Sequence, residues 1–447
     1  MTAPITHPPI AHPEAEALLA PLARFPRVAL AVSGGPDSVA LMHLAAAWCQ
    51  ARGGSPALNV LTVDHRLRAA SREEVERVEC MAAALGLRHA ILTWENDGAR
   101  AAGLQARARA ARYDLMAAYC HANDIPALAT AHTLDDQAET FLMRLKRGSG
   151  LDGLAAIPER GAWAGIVVCR PLLEVPKARL VATLEAAGVS FVSDPSNSDP
   201  RFERARVRGS GDALAALGLT PEALALSARR LRRAREALDD AAQDFLAVNS
   251  EISEAGYAVI DRRALEAAPH EIALRALSHL IGAVGGGEMP VQLVKLENLL
   301  AALHQDPAKA HTLGRCRLEP CSSRLGIFRE VRGKGLPEAR LSPGERMLWD
   351  NRFRVELGAN ESKSVVVKAL GESGWRSLRD RSALASSLPR LAGRTLPSCW
   401  RGDVLLGLPM LGAAGEDETR ALDCRARFVR AGRPQHGGER PLSLIHI

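Results

Sequence analysis

The sequence has few aromatic residues and no closely spaced cysteine pair. Phe, Trp and Tyr make up 4% of its 447 residues, and its eight cysteines are scattered, the closest two being Cys316 and Cys321. Zinc ribbons and redox dithiols have pairs of cysteines with two residues between them, so neither kind of site is expected here. Scattered, unpaired cysteines are typical of proteins in the reducing cytoplasm.

Long apolar runs are also missing. A helix that crosses a bilayer needs roughly 20 consecutive apolar residues, and no segment approaches that length. The first residues lack the basic start and apolar core of a secretory signal. We therefore expect a soluble, cytoplasmic protein without a membrane partner.

The remaining composition is that of an ordinary globular protein, with 47% hydrophobic and 24% charged residues. Its length predicts two or three domains of about 100–200 residues each. The net charge of +6 permits a nucleic-acid partner without requiring one. Arginine, which suits forked contacts to phosphate, supplies most of the basic residues.

The first half of the sequence alternates short apolar runs with amphipathic stretches. Strands are predicted at 28–32, 58–63, 90–94, 127–130 and 166–168, and helices at 38–52, 71–85, 104–123 and 134–147. This alternation predicts an α/β fold, a parallel sheet with helices on both faces. Ligands of such sheets bind beyond the carboxyl ends of the strands. We place this domain at residues 1–215.

Beyond residue 215 the pattern is first helical and then mixed. A helix is predicted over 221–248 from an apolar stripe that recurs every seven residues, formed by Leu224, Leu231, Leu238 and Phe245. Its other face carries Arg229, Arg230, Arg232, Arg233 and Arg235. A solvated face and an RNA-facing surface both explain this pattern. We predict a helical domain at 216–335 and a small α+β domain at 336–447, of which residues 441–447 fit no element.

A glycine-rich loop links the first predicted strand to the first helix: Ser33, Gly34, Gly35, Pro36, Asp37 and Ser38. Such a loop turns backbone N–H groups inward and, with two hydroxyls and a helix N-terminus, forms a cradle for an anion. A Walker A loop would carry a lysine before the final Ser or Thr, and this loop has none. Asp37 is the residue type that helps to hold Mg²⁺ on phosphates.

Two further motifs lie near predicted strand ends and on a helix. Asp64 and His65 follow the second strand, where they would frame adenine and ribose, although a lone histidine is more often structural. Arg109 and Arg112 are three residues apart and share one helix face. A surface salt bridge explains such a pair equally well.

The segment 131–140 follows the fourth strand and opens a helix. It contains His132, Asp135, Asp136 and Glu139. Acidic residues at a helix start often serve only as caps. Alternatively, this acidic cluster would bind Mg²⁺ or the ammonium group of an amine substrate.

The loop resembles that of the PP-loop superfamily, and the motifs taken together resemble the tRNA(Ile)-lysidine synthetase family. The resemblance is strong over about residues 25–210, loosens through the helical middle and is weakest in the last hundred residues. The shared residues are Ser33 to Ser38, Asp64-His65 with Leu67-Arg68, Ala108-Arg109 with Arg112-Tyr113, Ala131-His132 with Asp135 to Thr140, Arg147 to Leu151, Arg170 to Leu173, Asp194 to Asn197, Arg204, Arg206 and Arg208.

The resemblance implies a ligase that uses ATP and Mg²⁺. ATP adenylates the C2 oxygen of the wobble cytidine in a tRNA(Ile) with a CAU anticodon. The ε-amine of free L-lysine then displaces AMP and leaves lysidine. The middle and C-terminal domains would recognise the tRNA, while the oligomeric state stays open, with a homodimer as one option.

The resemblance also implies roles for single residues. Residues 33–38 would bind the pyrophosphate end of ATP, and Asp37 the metal. Catalytic roles fall to Asp37, His132, Asp136 and Glu139. The substrate-binding residues would be Asp64, His65, Arg109, Arg112, Asp135, Arg204 and Arg208.

Two other functions are compatible with the loop. A tRNA thiolase of the same superfamily would need a persulfide cysteine or cysteines that hold an iron–sulfur cluster, and the cysteines here are isolated. An inactive RNA-binding protein with this fold would not need its acidic residues, and Asp37, Asp136 and Glu139 are all present.

Overall fold

The computed structural model describes residues 7–64, 70–94, 104–192, 203–287, 291–333, 335–379, 388–410, 413–414 and 422–429. These residues fall into two compact units that divide between Arg235 and Glu236. None of the helices in these ranges is long and apolar enough to span a membrane. Cytoplasmic location stays a prediction.

Within the described residues, the first unit contains six strands, nine α-helices and the first part of a tenth. The strands are β1 Arg27–Ala31, β2 Ala57–Asp64, β3 Arg88–Thr93, β4 Ala127–Ala129, β5 Arg160–Trp163 and β6 Ile166–Cys169. The helices are α1 His12–Leu19, α2 Pro36–Ala51, α3 Ala70–Ala84, α4 Leu104–Ala122, α5 Leu134–Leu145, α6 Leu151–Leu154, α7 Lys177–Ala186, α8 Glu203–Gly209, α9 Gly211–Ala216 and α10 Pro221–Asn249, with a 3₁₀ turn at Ala20–Leu22.

The strands of the first unit form one sheet in the order β3-β2-β1-β4-β6-β5. All neighbours pair in parallel except β5, which forms an antiparallel hairpin with β6. The predicted parallel sheet is confirmed, with β5 as an additional edge strand. The central strands are short: β4 is wholly buried and β1 is buried at its three middle residues, as expected of strands covered on both faces.

The chain reverses its direction across the sheet between β1 and β4. From β1 it proceeds outward through β2 to β3, and it then returns to place β4 on the other side of β1. The ligand crevice of an open α/β sheet lies at such a switch point, beyond the carboxyl ends of the strands. The loop at 33–38 follows β1 and the segment 131–140 follows β4, so both predicted motifs open onto this crevice.

In the part of the chain that the structure describes, the second unit begins with three helices and a five-stranded antiparallel sheet, which are followed by a second five-stranded sheet and a three-stranded sheet. The helices are α11 Arg262–Ala267, α12 His270–Gly285 and α13 Leu293–Gln305. The strands are β7 Ser250–Ile252, β8 Ala258–Asp261, β9 His311–Leu313, β10 Cys316–Cys321 and β11 Arg324–Arg329, in the order β7-β8-β11-β10-β9.

This sheet corrects the expectation of a purely helical segment at 216–335. The strands are three to six residues long, too short to give a clear alternation, whereas α12 and α13 carry strong apolar stripes. Leu277 and Leu280 of α12 and Leu300 of α13 pack against Ile260 and Leu318 of the sheet. The predicted boundaries at 215 and 335 stay predictions.

The last part of the second unit is a mixed region, as expected. Its elements are β12 Ala339–Leu341, β13 Arg346–Trp349, β14 Phe353–Leu357, β15 Val365–Ala369, α14 Gly371–Arg379, α15 Arg390–Gly393, β16 Pro397–Arg401, β17 Val404–Leu408, β18 Ala413–Ala414 and β19 Cys424–Phe428. The strands form sheets in the orders β12-β15-β16-β17-β18 and β13-β14-β19. The segment 441–447 lies outside the described residues.

A buried charge network fixes β14 within the second unit. Both oxygens of Asp350 accept hydrogen bonds from Arg329, Oδ1 from Nη2 at 2.8 Å and Oδ2 from Nε at 3.0 Å. Asp350 Oδ2 also accepts from Arg352 Nε at 2.7 Å. Arg352 is fully buried, and it donates to the carbonyls of Gly256 and Thr395 at 3.3 and 3.2 Å.

Helix α10 confirms the predicted helix at 221–248, but its arginines do not form a single exposed face. Arg232 and Arg235 are buried, each 6% exposed. Arg229 is exposed and donates to Glu174 at 2.7 Å. Arg230 and Arg233 alone of the five are exposed without an ion pair among the described residues. A uniform solvated arginine face is therefore wrong, and only two positions remain for an RNA contact.

Candidate active site

The loop at 33–38 has the shape of an anion cradle. Gly34 has φ = 87°, a left-handed conformation that residues with a side chain rarely adopt. The Ser33 N–H donates to Ser38 Oγ at 3.1 Å, and that hydroxyl donates to the Gly35 carbonyl at 3.0 Å. Helix α2 begins at Pro36, so the N–H groups of its first turn have no partner within the helix. Such N–H groups at the start of a helix can bind an anion.

Asp37 sits in the first turn of α2 with one oxygen occupied. Its Oδ2 lies 2.7 Å from Lys177 Nζ, at the start of α7. Its Oδ1 is buried and has no hydrogen-bond partner among the described residues. Burial raises the pKa of Asp37 above its usual value, although Lys177 acts in the opposite direction. Lys177 is a site residue that sequence reasoning missed.

The orphaned Asp37 oxygen fits a magnesium ion. Within the described ranges, no cluster of three or more His, Cys, Asp or Glu side chains is arranged to hold a metal. Mg²⁺ usually binds through one or two carboxylates together with substrate phosphates and water. Asp37 Oδ1 is a suitable protein ligand of that kind, with the remaining ligands coming from ATP and solvent.

Asp136 begins α5 as part of a capping box. Its Oδ2 accepts from the Thr133 N–H at 2.9 Å and from Thr133 Oγ1 at 3.1 Å, while Thr133 Oγ1 caps the Asp136 N–H. The helix-capping explanation therefore applies to Oδ2 of Asp136. Among the described residues, its other oxygen, Oδ1, has only a distant contact, with Arg204 Nη1 at 3.9 Å. One carboxylate oxygen therefore remains open to a substrate cation.

Asp135 has a structural contact instead. Its Oδ2 accepts the backbone N–H of Lys177 at 2.7 Å, and this bond ties the start of α5 to the start of α7. The Leu134 N–H reinforces the link by donating to the Val175 carbonyl at 3.0 Å. The geometry places Asp135 in the frame of the site, and its substrate-binding role stays a prediction.

His132 lies between β4 and α5 with both ring nitrogens engaged. Arg109 Nη2 lies 3.3 Å from Nε2, and Thr130 Oγ1 lies 2.9 Å from Nδ1. A guanidinium can only donate, so Nε2 is the acceptor and Nδ1 carries the proton. Burial, together with the positive charges of Arg170, Arg109, Arg204 and Arg112, holds the pKa of His132 well below its usual value. The imidazole is therefore neutral at physiological pH, and it suits a hydrogen-bonding role better than proton donation.

Arg109 and Arg112 extend from α4 toward His132. Burial lowers the pKa of Arg109 to about 9, and the neighbouring charges of Arg204 and Arg112 act in the same direction. Its Nε is buried and unpaired within the described part of the chain. No described carboxylate forms an ion pair with Arg112, so the surface salt-bridge explanation finds no support there. This cationic cluster is suited to bind phosphate.

Glu139 is buried one turn beyond Asp136 and is paired with α8. Arg208 donates from Nε to Glu139 Oε1 at 2.5 Å and from Nη2 to Oε2 at 3.3 Å, while Arg204 Nε lies 4.0 Å from Oε2. Burial raises the pKa of Glu139, although the Arg208 hydrogen bond lowers it. Arg204 and Arg208 thus contact the acidic residues of the site, and their predicted contacts with tRNA stay predictions.

Asp64 ends β2, and its carbonyl accepts the Trp94 N–H at 3.0 Å. It lies at the same carboxyl edge of the sheet as the loop. The predicted adenine contact of His65 falls outside the described residues. Of the predicted site residues that are described, the structure gathers the loop, the segment 131–140 and the arginines of α4 and α8 around one crevice.

Comparison with known proteins defines the class first. The model of a family described as "PP-loop domain" matches residues 10–210. The first unit is therefore a PP-loop domain, and the chain uses ATP.

Similarity to individual proteins is more specific. The tRNA(Ile)-lysidine synthase of Bradyrhizobium sp. BTAi1 is 47% identical over 305 residues, which are 66% of this chain and 85% of that protein. The tRNA(Ile)-lysidine synthase of Ruegeria pomeroyi is 38% identical over 399 residues, 87% of this chain and 89% of that protein. The chain belongs to the tRNA(Ile)-lysidine synthase family and is an enzyme. The resemblance inferred from the motifs is confirmed.

Among solved structures, a U34-tRNA thiolase from Methanococcus maripaludis is similar to this chain. Sequence identity is 16% and the TM-score is 0.42, over 50% of this chain and 77% of the thiolase. This likeness is too distant to bear on the reaction.

Proposed function

We propose that the chain attaches lysine to C2 of the wobble cytidine of tRNA(Ile) bearing a CAU anticodon, through an adenylated cytidine. The observation that carries this proposal is the convergence of three features at one sheet switch point. These are an anion cradle without a Walker lysine, a carboxylate oxygen open to an amine, and a cluster of arginines. The tRNA(Ile)-lysidine synthase relatives support the same reaction.

In the first step, the C2 oxygen of cytidine attacks the α-phosphorus of ATP and pyrophosphate leaves. The loop N–H groups and the Ser33 and Ser38 hydroxyls would bind the pyrophosphate end of ATP, as its position after β1 supports. Mg²⁺ held by Asp37 Oδ1 would neutralise charge on the phosphates when it is bound. The guanidinium groups of Arg109 and Arg112 would offset the charge on the α-phosphate and orient the cytidine.

His132 would help to keep this arrangement in place. It accepts a hydrogen bond from Arg109 and is itself held by Thr130. Because the imidazole is neutral, it does not add a further positive charge that would push the arginine away. His132 thus acts as a positioning residue for the phosphate-binding guanidinium.

In the second step, the ε-amine of lysine attacks C2, the bond from C2 to oxygen breaks, and AMP leaves. The amine must lose a proton before or during this attack. Asp136 Oδ1 is the carboxylate oxygen best placed to bind the incoming ammonium, since its nearest cationic contact among the described residues is 3.9 Å away. Glu139 has both oxygens engaged by Arg208, so its role would be to hold α8 against the site.

The test is incorporation of radiolabelled lysine into tRNA. Purified protein is incubated with ATP, Mg²⁺, labelled lysine and tRNA(Ile) that carries CAU, and AMP, pyrophosphate and RNA-linked label are measured. We expect all three in equal amounts. The elongator methionine tRNA, which also has a CAU anticodon, serves as the control substrate and should remain unlabelled. Incorporation of sulfur instead of lysine would identify a thiolase, and AMP release without either would overturn the proposal.

A further inference from the structure

The loop at 33–38 offers only neutral donors to a highly charged leaving group. Backbone N–H groups and two serine hydroxyls carry no net charge, and Asp37 is itself an acid. Pyrophosphate carries several negative charges at neutral pH. An acid in the first turn of α2 would repel it unless a cation stands beside it.

Lys177 brings such a cation to the loop from a distant part of the sequence. Its Nζ lies 2.7 Å from Asp37 Oδ2. The ammonium group has three donors, of which this ion pair uses one. The Lys177 side chain is 37% exposed, so it is partly accessible to solvent beside the loop.

The backbone of Lys177 is held on two sides. Toward the site, its N–H donates to Asp135 Oδ2 at 2.7 Å. On the other side, Arg179 of the same helix donates to both oxygens of Glu14 at 2.6 and 2.7 Å and to the Pro8 carbonyl at 3.0 Å. These bonds fix the start of α7, and they direct a flexible lysine side chain at the mouth of the loop.

A simple stabilising ion pair does not account for this arrangement. Partly exposed ion pairs such as this one contribute little to stability, and a neutral residue in place of Asp37 would lose less solvation on burial. The ion pair is explained if Lys177 neutralises the charge of Asp37 in the free protein and contacts a phosphate oxygen when the loop binds pyrophosphate. In that state Asp37 keeps its buried Oδ1 for a metal ion.

We propose that Lys177 is a pyrophosphate-binding residue that supplies, from α7, the positive charge that the loop itself lacks. The inference deepens the proposed function, since it assigns the group that receives the leaving pyrophosphate. It predicts that the Lys177 ammonium donates to a non-bridging oxygen of the departing group while it remains paired with Asp37.

The first experiment measures binding of inorganic pyrophosphate and of AMP by calorimetry without Mg²⁺, tRNA or lysine. We expect Lys177→Met to weaken pyrophosphate binding about 10-fold or more, as loss of a charge-assisted hydrogen bond predicts. AMP binding should stay within about 2-fold, and Lys177→Arg should recover most of the loss. Lys146→Met is the matched control, because that lysine, directly after α5, is 71% exposed. Equal losses for pyrophosphate and AMP, or no loss, would overturn the inference.

The second experiment excludes an indirect effect of Asp37. Removal of Lys177 leaves the Asp37 carboxylate unbalanced, and this charge alone would repel pyrophosphate. The double variant Asp37→Asn with Lys177→Met removes that repulsion. Under the proposal its affinity for pyrophosphate remains weaker than that of Asp37→Asn alone. If the two affinities are equal, Lys177 only shields Asp37 and the inference is wrong.

These measurements are independent of the proposed reaction. A wild-type protein that binds pyrophosphate through Lys177 but fails to incorporate lysine would refute the proposed function and leave the inference standing. If lysine is incorporated, the Lys177→Met variant should show a raised KM for ATP with the KM for lysine unchanged.

Discussion

The two units differ in how completely their buried charged side chains are paired. In the second unit, Asp350 has both oxygens hydrogen-bonded to Arg329 and Arg352, and Arg352 donates further to two carbonyls. In the first unit, the charges around the crevice are paired only in part. Asp37 Oδ1 and Arg109 Nε are buried without partners among the described residues, and Asp136 Oδ1 has only a distant one.

The difference follows from what each set of charges can do. A fully satisfied network has no donors or acceptors left for a ligand, so it contributes to the fold alone. Buried polar atoms without partners cost free energy, and they persist where a substrate or ion completes them. The site in the first unit is thus an incomplete network that ATP, lysine and RNA would complete.

The largest expected effect lies in the complete network. Asp350→Asn keeps a side chain that tolerates the left-handed backbone at this position, where φ is 51°, but it removes the charge between two buried arginines. We expect the free energy of unfolding to fall by about 3–5 kcal/mol, measured by urea denaturation. Leu348→Ala, at an exposed position of β13, is the control.

The loss of stability in Asp350→Asn should also depend on pH. Burial would raise the pKa of Asp350, but hydrogen bonds and charges from Arg329 and Arg352 hold it below its usual value. A lowered carboxyl pKa adds stability above the unfolded value of 3.8 that is lost as pH falls through the folded value. The difference between wild type and Asp350→Asn should therefore shrink below about pH 4. A constant difference would mean that charge is not what the network requires.

An intermediate effect is expected in the incomplete network, and it should appear in catalysis rather than in stability. Asp136→Asn keeps an oxygen for the Thr133 cap but removes the charge that would bind the lysine ammonium. We expect kcat/KM for lysine to fall about 10- to 100-fold and the free energy of unfolding to change by less than about 0.5 kcal/mol. Steady-state kinetics with tRNA(Ile) and chemical denaturation measure the two quantities.

Glu203→Gln is the matched control for Asp136→Asn. Glu203 also pairs with basic side chains near the site, Arg147 at 2.5 Å and Lys146 at 3.6 Å, but it has no proposed part in the reaction. Its lysine kinetics should equal those of the wild type. Normal lysine kinetics in Asp136→Asn would reduce Asp136 to a helix cap.

The comparison also explains which features were readable from the sequence. The loop at 33–38 and the segment 131–140 are local: each has its glycine, cap or acidic residues within ten positions, next to a strand. Lys177 was missed because it lies 140 residues from Asp37, and a single lysine carries no local pattern. The burial of Arg232 was missed for a similar reason, since its carboxylate partners, Glu159 and Glu174, come from other parts of the chain.

The last expected effects concern α10, where buried and exposed arginines stand side by side, and the smallest of them is that of the exposed pair. Arg232 is held by Glu174 and Glu159 at 3.3 Å each and donates to the Ile157 carbonyl at 3.4 Å. Its replacement by Ala should lower stability by about 1–3 kcal/mol. Arg230 and Arg233 have no such partners in the described part of the chain, so their loss should leave stability unchanged.

If α10 meets the tRNA, the double variant of Arg230→Ala and Arg233→Ala should instead change the salt dependence of binding. Each lost phosphate contact reduces the slope of log K against log salt by about one, so the pair should reduce it by about two and weaken binding only a few-fold at moderate salt. Filter binding at several salt concentrations measures both, with Arg72→Ala and Arg77→Ala on α3 as the control pair. An unaltered slope would assign the exposed arginines of α10 to solvent, and the charges that bind RNA would then have to be sought around the crevice itself.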